Sequence, residues 1–80
     1  DGRRVDIVDR ENGIAWEVEW CSKWEQSIGQ AIGYATALDM EPGVWLLFNS
    51  GDDEEWNQFQ AAAEYLQSRG IPLHVRTHKP

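Results

Sequence analysis

A chain of 80 residues that is 41% apolar and 26% charged is bounded to one small globular domain, residues 1–80, and is not disordered in composition. Its net charge of −7 argues against a protein that coats nucleic acid through clustered Lys and Arg, and the single Cys21 excludes an internal disulfide. No apolar run approaches the ~20 residues that cross a bilayer, and the charged residues 1–10 do not read as a secretory signal, so a reducing, cytoplasmic location is expected.

Residues 3–9, RRVDIVD, alternate, with Val5 and Ile7 on one face and Asp6 and Val8 on the other. Residues 14–20, IAWEVEW, alternate more cleanly, with Ile14, Trp16, Val18 and Trp20 opposing Ala15, Glu17 and Glu19. The Asn12-Gly13 pair between them predicts a tight hairpin turn. Ser22-Lys23-Trp24-Glu25 has the form of a capping box, which starts a helix at Ser22 that runs to about Asp39 and is stopped by Glu41-Pro42-Gly43. Trp24, Ile28, Ala31, Ile32, Ala35 and Leu38 form its apolar stripe, and Gly29 and Gly33 are expected to allow close approach to a sheet. VWLLF, residues 44–48, reads as a strand buried on both faces, with Trp45 inside. A second helix is predicted over 53–68, burying Trp56, Phe59, Ala63 and Leu66 and capped by Gly70, followed by an edge strand in PLHVRT. The order β-β-α-β-α-β predicts an α/β fold: a mixed sheet with one antiparallel hairpin and flanking helices. Trp16 and Trp20 would lie on a sheet face that one helix leaves open, a position suited to a contact surface. No Cys/His spacing suggests zinc, and His74 and His78 read as surface residues.

With Asn12 and Gly13 as the two turn residues, Asp6 faces Glu19 and Val8 faces Glu17. Opposed Cβ atoms lie ~5 Å apart and diagonal ones ~7 Å, so Asp6, Glu17 and Glu19 would form a triangle of carboxylates on one face. Such a group must take up a proton or hold a cation, and its oxygen ligands suit Mg²⁺ or Mn²⁺. The plainer reading is a solvated acidic face. Lys23, Ser27, Gln30 and Tyr34 follow at helical spacing, a polar stripe that begins where the acidic strand ends.

Asp6 in RVDIV, Glu17 in WEVEW and the helix carrying GQAIGYA together resemble the PD-(D/E)xK nuclease superfamily, over nearly the whole chain from that superfamily's second core strand onward. The resemblance implies a restriction-endonuclease-like core, an Mg²⁺- or Mn²⁺-dependent activity on DNA rather than RNA, and metal ligation by Asp6 and Glu17. It also implies that Gln30 and Tyr34, spaced as in the Q-x-x-x-Y element of the exonuclease-like branch, help position nucleic acid. The superfamily's catalytic lysine belongs two residues after the glutamate, where this chain has Glu19. Either the lysine has migrated to Lys23, with Glu19 as an added ligand or base, or the site has decayed into a module that binds a protein or forms a homodimer. The superfamily's preceding helix and first strand have no counterpart, which is expected of a piece of a longer protein or of a site completed by a partner subunit. Acidic mimicry of nucleic acid is a third reading, and it needs acids spread along a surface rather than gathered in a notch.

Overall fold

The hairpin at the start of the chain sets the register on which everything else depends. The computed structural model describes residues 6–79, in the order β1 (Ile7–Asp9), β2 (Ile14–Trp20), α1 (Trp24–Leu38), β3 (Glu41–Leu47), α2 (Asp53–Ser68) and β4 (His74–His78). The sheet order is β1-β2-β3-β4, antiparallel between β1 and β2 and parallel elsewhere, which is the mixed α/β sheet expected. Residues 3–5 of the predicted first strand lie outside the described residues.

The turn is longer than Asn12-Gly13 suggests. Four residues, 10–13, connect the strands, and Gly13 takes the left-handed φ of +72°. The backbone N–H of Asn12 donates to Asp9 Oδ1 at 3.1 Å, and its side-chain amide donates to Asp9 Oδ2 at 2.9 Å. These bonds favour the wider loop, because Asp side chains stabilise turns by bonding backbone a few residues on. Ile7 therefore opposes Trp16, Val8 opposes Ala15 and Asp9 opposes Ile14. The register differs by two residues from the expected one. A shift of two keeps every side chain on its face but changes its partner.

Chain entry into α1 also differs. An N-cap needs extended backbone. The extended residue here is Trp20, with φ −68° and ψ 143°, and a 3₁₀ turn over Cys21–Lys23 follows at once. The chain is already turning at Ser22, so no capping box forms and neither helical segment has a side-chain cap. The helix ends at Leu38, where Asp39 takes φ 55° and its N–H reaches the carbonyls of Ala35 and Thr36. Glu41, Pro42 and Gly43, which stop the helix, are already strand residues, and the N–H of Glu41 donates to Gly13 O at 2.8 Å.

Two successive parallel crossovers of the same hand place both helices on one face of the sheet. There Val44 and Leu46 of β3, Ala31 of α1, and Phe59 and Ala63 of α2 make the core with Cys21 and Leu73. Trp56 stacks on Phe59 at 5.6 Å, and Trp24 meets Phe59 edge-on at 6.2 Å. β3 is consequently not sealed equally on both sides. Val44 and Leu46 are fully buried, whereas Trp45 and Leu47, on the opposite face, are only half-buried. Trp16, expected at an open surface, is instead 4% exposed. Gly43 makes this possible: a Cβ there would stand 2.7 Å from Trp16 Cε3, so only glycine lets the indole lie against β3. Arg76 covers the ring from the other side, its guanidinium 4.9 Å from Trp16 and 5.2 Å from Trp45. Gly29 is exposed with open space around it, so it serves no close approach.

Candidate metal centre

Extending the hairpin ladder by one step sets Asp6 against Glu17. Glu17 shares its face with Val44, its neighbour on β3, and that is the face the helices cover. It is 3% exposed, whereas Asp6, just before β1, is exposed. The backbone N–H of Val18 donates to Asp6 Oδ2 at 2.9 Å, which fixes the Asp6 carboxylate beside β2. Nothing in the sequence marks this bond, because any residue at position 18 except proline could supply it.

Glu17 is held mostly protonated below neutrality, its pKa raised from 4.5 to about 7. Burial is the leading cause, followed by the charge and hydrogen bonding of Asp6 and then by the charge of Glu19. Every charge acting on it is negative. A carboxyl sealed beside two anions keeps its proton unless a cation replaces it.

The triangle of three carboxylates is not formed as expected. Among the described residues, no three of Asp, Glu, His and Cys gather closely enough to hold an ion together. Because the four-residue turn moves the register, Asp6 faces Glu17 rather than Glu19. Glu19 lies two positions further along β2, and its Oε1 accepts the N–H of Trp20 at 2.8 Å. What remains is a facing pair, Asp6 and Glu17, with Glu19 close enough to be felt electrostatically. This donor set fits Mg²⁺ or Mn²⁺, which bind through one or two carboxylates and complete their shells with water or phosphate oxygens.

The helical stripe divides. Ser27 and Tyr34 are buried, at 0% and 7% exposure, so this part of the stripe faces inward. Ser27 Oγ donates to Trp24 O at 2.6 Å, which gives it a local structural role. Gln30 is half-buried, and its amide meets no hydrogen-bond partner among the described residues. Lys23 is exposed, in the 3₁₀ turn at the head of α1, with no ion pair among the described residues. It is not among the groups that shift Glu17. His74 Nε2 and Glu41 Oε1 stand at hydrogen-bond distance, 2.7 Å, at the far end of the sheet. The buried thiol of Cys21 is pushed up to about 11, first by burial and then by Asp52 and Glu55, so it is no nucleophile.

No helix among the described residues is long and apolar enough to cross a membrane. Comparison with protein-family models, with curated proteins and with solved structures returns no match to this chain.

Proposed function

We propose that the chain is a metal-dependent nuclease with a PD-(D/E)xK-type, restriction-endonuclease-like core, acting on DNA through a centre built on Asp6 and Glu17. The observation that carries this reading is the facing acid pair: a buried Glu17 set against an Asp6 anchored by the Val18 N–H. Burying a carboxyl beside another acid costs stability, and a divalent ion is the partner that would recover it. Asp6 and Glu17 would hold Mg²⁺ or Mn²⁺. Such an ion supplies a water acidified toward neutrality and a positive charge for the scissile phosphate.

The remaining roles fall to this chain's own side chains. Glu17 must lose its proton to act as a ligand, so activity should rise with pH toward neutrality. Glu19, beside the pair, would serve as an outer base for water. Lys23, in no ion pair among the described residues and at the head of α1, would bring the ammonium that the usual lysine position lacks. Gln30, whose amide has no partner among the described residues, lies two helical turns beyond Lys23 on the same stripe, and Tyr34 one turn beyond Gln30.

A second reading, a nuclease-like module that binds without cutting, is favoured by Glu19 in the lysine position. A plasmid-nicking assay in Mg²⁺ separates the two. The native chain should nick, Asp6→Asn should lose at least 100-fold, and Lys23→Ala should lose 10-fold or more, since positioned acid–base groups contribute about 10²–10⁴. Nicking by Lys23→Ala at the native rate removes Lys23 from the mechanism. No nicking by the native chain favours the second reading.

A further inference from the structure

The turn that sets the hairpin register also carries a reactive pair. Asn12 is exposed in the loop over residues 10–13, and Gly13 follows it. The Cγ of an asparagine side chain can be attacked by the backbone nitrogen of the next residue, which closes a cyclic imide. That step is intramolecular, so its rate depends on how often the two atoms meet. A side chain on the following residue crowds the approach, and glycine has none. Nothing stands within 4 Å of where a Cβ of Gly13 would lie, and no acceptor among the described residues takes its N–H. The remaining asparagines lack this freedom: Asn49 precedes Ser50, and Asn57 precedes Gln58 inside α2, where the backbone is fixed.

We propose that Asn12 is a self-modification site, at which the Gly13 nitrogen displaces the side-chain amide and water opens the imide to aspartate or isoaspartate. The bond from Gly13 N to Asn12 Cγ forms as the Cγ–Nδ2 bond breaks, and the proton of the Gly13 N–H leaves with the amide nitrogen as ammonia. Water then adds to either ring carbonyl. Breaking the new bond to Cγ restores the ordinary backbone with an aspartate side chain. Breaking the original peptide bond instead routes the backbone through Cβ and Cγ, which is isoaspartate. Water is the only co-reactant, and no electron is transferred.

Asp9 controls the step. Its Oδ1 accepts the backbone N–H of Asn12 at 3.1 Å, and its Oδ2 accepts the side-chain amide at 2.9 Å. This clasp turns the Asn12 side chain toward its own N–H and away from the Gly13 nitrogen. The Asp9 carboxyl is held below the ordinary carboxylate range, chiefly by the Asn12 side chain, so the clasp is charged at neutral pH. Gly13 is itself anchored, because its carbonyl accepts the N–H of Glu41 at 2.8 Å. Ring closure therefore waits for the clasp to open. Once modified, residue 12 cannot close it again: a carboxylate has no N–H to donate, and it would stand against the carboxylate of Asp9. The clasp favours the wider turn, so the modified chain loses a bond that keeps β1 in register on β2. This follows from the turn alone and does not depend on the nuclease reading.

Peptide mapping by mass spectrometry, on the native chain kept for days in warm neutral buffer, tests the assignment. It should show amide-to-acid conversion at Asn12 but not at Asn49 or Asn57, with isoaspartate among the products. Asp9→Ala should convert at least about 5-fold faster, since a hydrogen bond to a charged group carries roughly that factor or more. Asp9→Asn, which keeps one acceptor oxygen, should fall between the two. Position 9 ends an edge strand, and circular dichroism confirms that both variants fold. No conversion at Asn12, over a period in which the urea-unfolded chain converts, overturns the proposal. So does conversion without isoaspartate, which is direct hydrolysis, or conversion of Asp9→Ala at the native rate.

Discussion

Glu17 concentrates the tension in this molecule. Its proton is retained to about pH 7 in the folded chain, against 4.5 ordinarily. The folded state therefore binds more protons than the unfolded state between those values, and stability declines as pH rises from 4.5 through 7. The whole effect is up to about 3 kcal/mol. Replacing Glu17 with Gln removes it. Thermal melts without metal should show Glu17→Gln more stable than the native chain at pH 8 by about 1–3 kcal/mol, with little difference at pH 4. Parallel pH profiles for the two proteins would mean that Glu17 ionises normally. Cys21 gives a simpler check at the same scale. With its thiol buried and raised to about 11, it should react with a thiol reagent at pH 8 only as fast as the chain unfolds. Prompt labelling of the native protein would contradict its placement in the core.

At the scale of elements, the face of each side chain in the hairpin was legible in the sequence, but its partner was not. Alternation puts Glu17 and Glu19 on one side, and Asp6 joins them for a turn of two residues or of four. Which acid meets which depends on the turn, and there the bonds from Asn12 to Asp9 prevail over the Asn-Gly signal. The same limit applies to the stripe of α1. Spacing places Lys23, Ser27, Gln30 and Tyr34 in a row but does not say which of them are covered: Ser27 and Tyr34 are buried, whereas Lys23 is exposed. Helix α2 was fully legible, because its apolar period and the acids of its first turn agree. Gly43 was the least legible residue. It read as a helix stop, yet its role is to admit Trp16 into the β2–β3 contact. Gly43→Ala should therefore cost about 1–3 kcal/mol by overpacking, more than an exposed strand glycine would, measured by urea unfolding. A cost near zero would mean that the Trp16 ring moves aside freely.

Taken as a whole molecule, the described residues pack both helices on one face of the sheet. Helices, Val44, Leu46 and Phe59 form the built side, and the acid pair sits at its margin, where β1 meets β2. The net charge of −7 repels phosphate, so a nuclease of this composition needs cations supplied at the site. On the proposed reading, the acid pair is where such a cation would bind. Calorimetric titration with Mn²⁺ at pH 7, for the native chain and for Asp6→Asn, tests this most directly. Glu17 is about half protonated at that pH, so the native chain should bind one ion and release about half a proton, seen as a dependence of the heat on the buffer's ionisation enthalpy. Asp6→Asn should bind at least 10-fold more weakly. Heats that are the same for both proteins, or no binding by the native chain, would contradict a metal centre at Asp6 and Glu17.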